Sequence, residues 1–570
     1  MNNNSMMALA LAAAIAAVPT VHAADADTVF THGAIYTLDD RQPWAEAVAV
    51  RQGRIEFVGT NAQAQAFVGS RTKVVDLQGR LMLPAISDIH AHPIEASYEI
   101  LYRCTIPPGA GVDAVIAAVA GCAARAKPGA WIVGGAWPSA LLGELENPEN
   151  LARLDAASKG FPVLLRDDTV HNRWVNSRAL ALAGITPQSQ APAGGTYVKK
   201  EGRLTGLLKE PAAWLALSRL APPSGKEQMV RAAQFAASTL NRLGVTSVQD
   251  AFVTRDYMNA WVGADRSKEG LNLRVIASLA SDNAGDEGAD FVKPEEANQW
   301  RSAHFRPDFV KVFLDGVPMA YTAYMRAPYV PDDVHGHDYV GVPHYTPEQL
   351  KDKLLALDRQ GISVKLHAVG DGAVHEALDA IESVRGKERP GRNILQIAHI
   401  TFLDKADLPR FAQLNAVVDM SPMLWYPAPF TPLFDKVVGP ERTQASAPIK
   451  SLFDAGALVA AGSDWPAARP LPDPWVGIEG MVTRRDPEGR MPGVLGPQEA
   501  VSLERAILAY TLNPARGMGI DAETGSIEAG KSADLIVLDR NLFKIPVTEI
   551  HKTRVLGTWF EGRQVYRAQP

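Results

Sequence analysis

Between Val245 and Asp464 the chain alternates short apolar runs with helix-like stretches, and no other feature restricts the fold as much. The runs are Val245–Asp250, Leu273–Leu279, Phe309–Asp315, Ile362–His367, Ile394–His399, Ala416–Met420 and Leu458–Asp464. Helical candidates such as Lys226–Leu243, Pro347–Arg359 and Ala373–Val384 lie between or beside them. Strands separated by helices pair in parallel, because each crossover returns the chain to the same end of the sheet. Adding Leu81–His92 brings the count to about eight, the number that closes a (β/α)8 TIM barrel. The expected fold class is therefore α/β, with the barrel over residues 84–520. The stretch 93–244 is too long for one crossover and reads as an insertion after barrel strand 1.

Outside the barrel the pattern is β-rich. Thr28–Leu38, Ala47–Val50, Arg54–Val58 and Lys73–Leu77 lie at one end, with Ala533–Asp539 and Val555–Val565 at the other. Neither set suffices alone, so the expectation is a β-sandwich built from both termini, residues 24–83 with 521–570. The first residues carry an apolar run, Ala8–Val18, then Pro19 and the small-residue site Val21-His22-Ala23. That is the form of a secretory signal over 1–23, cleaved after Ala23, and it predicts an exported protein, periplasmic or secreted. The run is about 11 residues, too short to cross a bilayer, so no membrane insertion is expected once the signal is gone. In an oxidising compartment Cys104 and Cys122 can pair or can remain two buried thiols.

Charge excludes one class of partner. Lysine and arginine total 57 against 63 acidic residues, a net charge of −6, which leaves no basic field for nucleic acid. The expected partners are a small-molecule substrate and, as a candidate assembly, a second copy of the chain in a homodimer.

The chemistry concentrates at the C-terminal ends of the apolar runs, where barrels of this kind place their active sites. Leu81–Pro93 (LMLPAISDIHAHP) ends in His90-Ala91-His92, two imidazoles two residues apart and so on one face of a strand. Other runs end in His367, His399 and Asp464. Four histidines and a carboxylate at strand ends suit a one- or two-metal hydrolytic site, with zinc as the first choice of divalent ion. Lys311 lies inside the apolar run Phe309–Leu314, where burial would lower its pKa. A neutral lysine amine can add carbon dioxide to become a carbamate that bridges two metal ions. A second HxH, His335-Gly336-His337, sits in loop-like sequence with no strand before it and reads as a loop.

The order HxH, Lys, His, His, Asp resembles the amidohydrolase superfamily, and the local text resembles its YtcJ-like branch. The matching segments include LMLPAISDIHAHP, PGAWIVGGAW (128–137), HNRWVNSRALALAGI (171–185), GLLKE (206–210), VKVFLDGVP (310–318), KLHAVGDGA (365–373), GSDWP (462–466), DPWVGIEGMVTRRDPEG (473–489) and TGSIEAGKSADLIVLD (524–539). The resemblance implies that His90, His92 and Asp464 hold a first metal and that His367 and His399 hold a second. It implies that Lys311, as a carbamate, bridges them. It further implies metal-activated water attacking an amide or cyclic amide carbonyl, with Asp464 moving the proton to the leaving nitrogen. His171 and Trp137, from the insertion, and Asp315, after the Lys311 strand, become candidate substrate-side residues. Ala85 stands where the family has Gly before its HxH, and Gly372 stands where HAIGDRA has Arg. The same site would serve an ester, lactone or carbamate. A periplasmic binding or regulatory protein that kept the fold without turnover is the reading from a different class.

Overall fold

The computed structural model describes residues 25–569 apart from 108, 170, 193, 222–224, 281–292, 386–392 and 468. The segment read as a signal, 1–23, lies outside the described residues. Eight parallel strands form the central sheet: β1 Ile86–Ala91, β2 Val245–Val253, β3 Arg274–Ala280, β4 Phe305–Phe313, β5 Ser363–Ala368, β6 Leu395–His399, β7 Ala416–Met420 and β8 Leu458–Ala461. Each pairs with the next in sequence, giving an α/β TIM barrel. Thr346 starts one crossover helix, Pro347–Arg359, through a reciprocal cap with Gln349. The lower interior is apolar: Ile89, Ile276, Phe309, Val417 and Ala460 pack against Ala515, Met518 and Ile520.

The seam between β8 and β1 closes by single bonds rather than by a ladder. The Asp464 amide donates to the His90 carbonyl at 2.6 Å, and the His92 amide donates to the Trp465 carbonyl at 2.7 Å. Gly462 lets the strands approach, since a Cβ there would lie 2.4 Å from the His90 nitrogen.

The run Leu81–His92 departs from the sequence expectation of one strand. Leu81–Pro84 belongs to a different sheet, and only Ile86–Ala91 enters the barrel. Between them the Ala85 amide donates to the Asp534 carbonyl at 2.9 Å. Apolarity does not distinguish these halves, because both are fully buried.

The strand Leu81–Pro84 joins a six-stranded sheet that runs from Arg563–Arg567 through Val555–Phe560 and Leu535–Leu538 to Ala34–Tyr36 and Trp44–Ala45. A four-stranded sheet, made of Arg54–Gly59, Ala47–Arg51, Thr28–Thr31 and Lys73–Asp76, faces it. Phe30 and Val48 from one sheet meet Met82, Leu535 and Trp559 from the other in a common core. Arg274, at the start of β3, fixes this unit to the barrel. It is buried and donates to Asp534 at 2.9 Å and to Ser247 at 3.1 Å. Beside it His304 sits between Asp265, 2.7 Å from Nδ1, and Glu561, 3.4 Å from Nε2.

Within 93–244, the helices Pro93–Tyr102 and Lys226–Arg242 pack on the barrel core, and a separate six-stranded sheet occupies Cys104–Lys209. That sheet has its own core, which includes Val115, Val119, Trp137, Leu165 and Trp174. A disulfide joins Cys104, on the first strand of this sheet, to Cys122 in the helix Val112–Arg125. Among the described residues no helix is long and apolar enough to cross a membrane.

Two outcomes test these contacts. Replacing both cysteines with serine should destabilise the insertion by about 3 kcal/mol, the scale for a loop of this length, read by denaturant unfolding of the intact chain. His304 tests the clasp. Its pKa is raised because Glu561 and Asp265 favour the imidazolium more than burial opposes it. A raised folded pKa adds stability that is full below the unfolded value of about 6.5 and fades as pH rises through the folded value. The melting temperature should fall over that window in the native chain, and the His304→Gln variant should lose that component of the pH dependence.

Candidate metal centre

The histidines of the first motif converge, though not as two residues of one regular strand. β1 ends at Ala91, and His92 is the residue that starts the helix Pro93–Tyr102. The register of β1 against β2 slips between Asp88 and Ala91, which re-aims the strand end. The His90 and His92 rings come to lie 5.7 Å apart. Asp464 meets both, with Oδ1 at 3.7 Å from His90 Nε2 and 3.5 Å from His92 Nε2. One donor atom from each of these three residues falls within 4.8 Å of the others.

His399 extends the group at the end of β6. Its Nδ1 is 3.9 Å from Asp464 Oδ2, and its ring is 4.9 Å from that of His90 and 4.5 Å from that of His367. Lys311, inside β4, brings Nζ to 3.3 Å from His90 Nε2. The structure thus gathers His90, His92, Lys311, His367, His399 and Asp464 at one end of the barrel. His399 and Asp464 hold positive φ of 77° and 52°, backbone that non-glycine residues adopt at a cost and that clusters at functional sites.

Electrostatics prepare these groups to bind a cation. Burial, with Lys311 among the nearby positive charges, holds His90, His367 and His399 well below the usual imidazole range. They are neutral and keep a lone pair for a metal. His92 moves the other way: burial opposes its charge, but its hydrogen bond to Asp464 and that carboxylate's charge prevail and raise it. Lys311 falls to about 7 through burial and then through the charge of Lys365. Three neutral imidazoles, a fourth against a carboxylate, and an uncharged amine share form a donor set suited to a divalent ion of the zinc type.

Residues behind this group hold it in place. Asp419, at the end of β7, has Oδ2 2.6 Å from His90 Nδ1, so the other ring nitrogen turns toward Asp464. Lys365 donates to the same carboxylate and, at 3.0 Å, to the Ile89 carbonyl. Asp88 Oδ1 accepts from the amides of both His90 and Ser463 at 3.0 Å, which ties β1 to the chain leaving β8. The sequence reading missed all three. A carboxylate in the apolar run Ala416–Met420 and a lysine two residues before His367, hence on its face, were the available signals.

The candidate substrate-side residues fall in three places. Asp315 is buried and accepts from the amides of Tyr324, Val369 and Gly370 at 2.8–3.0 Å, so its carboxylate joins the turns after β4 and β5. Trp137 is fully buried in the core of the insertion and donates to the Leu165 carbonyl at 3.1 Å. Its surface is spent on packing. His171 is partly exposed, with Nδ1 3.0 Å from Glu210 Oε2. At the second HxH, the His335 ring packs between Tyr321 and Tyr339 at 4.3 and 4.6 Å, and its Nδ1 faces Asp332 at 2.9 Å. Gly372 has a steric reason in this chain, since a Cβ there would lie 2.8 Å from the Tyr324 ring.

The positioning role of Asp419 has a direct check. Asp419→Asn keeps the size of the side chain but weakens its hold on His90. It should weaken metal affinity by about 10- to 100-fold, read by equilibrium dialysis against a zinc buffer.

The sequence pattern of the amidohydrolase family matches residues 73–566. The N-substituted formamide deformylase of Arthrobacter pascens is 29% identical, over 94% of this chain and 97% of that protein. The putative amidohydrolase YtcJ of Bacillus subtilis is 27% identical, over 94% of this chain and 98% of that protein. Among solved structures, an uncharacterized metal-dependent hydrolase from Pyrococcus horikoshii superposes with a TM-score of 0.70 at 24% identity, covering 91% of this chain and 99% of that one. The match, which spans the whole barrel and part of the terminal sheets, places this chain in the amidohydrolase family.

Proposed function

We propose that this chain is an exported metal-dependent hydrolase that cleaves the carbon–nitrogen bond of an amide or cyclic amide. The observation that carries the reading is the convergence of four imidazoles, Asp464 and an amine that has no carboxylate partner among the described residues at the rim of the barrel. The name of the formamide deformylase relative supports an amide as the target. The Cys104–Cys122 disulfide and the segment 1–23 support export.

His90, His92 and Asp464 would hold one ion, and His367 with His399 a second. A bound divalent ion supplies an acidified water, its pKa lowered from ~15.7 to ~7, and polarises the substrate carbonyl. The chain's own residues do the remaining work. Lys365 is bonded to Asp419, whereas burial lowers Lys311 to about 7 and gives it a neutral share. The neutral Lys311 nitrogen can attack carbon dioxide and lose a proton, and the resulting carbamate would supply an anionic oxygen ligand. Asp464 lies at 3.5–3.9 Å from three imidazoles and accepts the proton of the attacking water on a carboxylate oxygen. It returns that proton to the leaving nitrogen as the carbon–nitrogen bond breaks.

The test is metal content and turnover together. Elemental mass spectrometry on protein purified without a chelator or a histidine tag should find about two divalent ions per chain, falling in His90→Ala. Asp464→Asn should retain most of the metal and lose at least about 100-fold in kcat on an N-formyl amine. No metal uptake from zinc or manganese, or wild-type turnover by Asp464→Asn, would overturn the reading. Full metal with no turnover of amides would favour a binding protein.

A further inference from the structure

Glu210 is an awkward residue where it stands. Its backbone sits at φ 65°, ψ 152°, a region almost reserved for glycine. It occupies the position that starts the helix Pro211–Ser218, yet its side chain makes no capping bond there. A serine or asparagine would cap and a glycine would relax the strain, so neither local role explains a glutamate.

The carboxylate points instead to His171. Oε2 lies 3.0 Å from His171 Nδ1, while Oε1 is shielded from solvent and has no hydrogen-bond partner among the described residues. An unmatched buried acceptor is costly and is relieved by an arriving donor. The side chain as a whole keeps 18% of its surface exposed, and that of His171 keeps 21%, so the pair is reachable. Rotation about the last bond of a glutamate is broad, which lets Oε1 turn toward an arriving donor. The surroundings hold His171 in place: Trp214, in the helix that Glu210 begins, donates to the His171 carbonyl at 3.0 Å, and the Arg173 guanidinium stacks 3.7 Å from the Trp214 ring.

This pair belongs to the insertion but works against the barrel rim. The charge of His171 is felt by Asp315 and by His367, at the ends of β4 and β5. Burial opposes the His171 imidazolium, but the charge of Glu210 and its hydrogen bond prevail and raise its pKa. When protonated, with Nδ1 donating to Glu210, His171 offers one further N–H, at Nε2.

We infer that His171 and Glu210 form a substrate subsite for a neutral carboxamide-like group, whose carbonyl oxygen accepts from His171 Nε2 and whose N–H donates to Glu210 Oε1. The paired charges select neutrality. A lone carboxylate would meet Glu210, a lone ammonium would meet His171, and only a group with donor and acceptor side by side satisfies both. The inference rests on the proposed hydrolase only in taking the metal centre as the reaction site.

Equilibrium binding tests it without turnover, so a failure here is distinct from a failure of the hydrolase reading. Calorimetric titration at neutral pH with phenylacetamide, phenylacetate and phenethylamine should rank the amide first, by about tenfold over each charged probe. Glu210→Gly relieves the backbone and removes the acceptor. It should match or exceed the native melting temperature, keep its metal, and lose the tenfold preference. Glu210→Gln removes the repulsion and should raise phenylacetate affinity toward that of the amide. Equal binding of the three probes by the native chain, or an unchanged ranking in Glu210→Gly, would overturn the subsite.

Discussion

The barrel seam and the metal centre are one set of bonds. No ladder joins β8 to β1; closure comes from the Asp464 and His92 amides and from Asp88, which accepts from both sides of the seam. The residues that close the barrel are therefore the candidate ligands or their immediate neighbours. A displacement of β8 would open the seam and move Asp464 away from both histidines of the first motif. The positive φ of Asp464 and His399 is sustained by that closure, because strained backbone persists only where surrounding bonds over-determine it.

The second constraint is charge inside the barrel. Lys311, Lys365, Asp88 and Asp419 are all buried, and of these two carboxylates Asp419 is the one that bonds to an amine. Burial penalises an ammonium, so the amine without a carboxylate bond gives up its proton more readily. Contacts decide which amine that is. Lys365 has Asp419 and the Ile89 carbonyl, while Lys311 has His90 and the face of Phe313 at 5.1 Å. The same carboxylate that neutralises Lys365 also orients His90, so charge balance and ligand geometry share one residue.

Much of the barrel was legible because its strands are buried on both faces and read as apolar runs that stop at a chemical residue. His367, His399 and Asp464 were visible for that reason. The split of Leu81–His92 was not, since the choice between sheets depends on Asp534, hundreds of residues away. Asp419 and Lys365 were hidden by their context, a single polar residue in an apolar run, which becomes meaningful only when the partner strand is known. The cysteines left two outcomes open because pairing depends on the fold of a sheet formed by strands up to about a hundred residues apart. Trp137 and His171 carried equal weight in the sequence. Only three-dimensional burial separates a tryptophan spent on packing from a histidine that stays partly exposed.

That separation shows how the molecule divides its labour. The barrel supplies groups that any metal-assisted hydrolysis would need, and it holds them with bonds that also keep the barrel shut. Substitution there trades against the fold itself. The insertion has its own core and its own disulfide, so it can vary in the residues it presents without loosening the metal centre. Glu210 and His171 stand where the two units meet: near enough for the rim to feel the charge of His171, yet fixed by Trp214 and Arg173, which the barrel does not provide. A chain built this way can keep its reaction and change its substrate, because discrimination is set by a unit whose stability is largely separate from that of the catalytic frame.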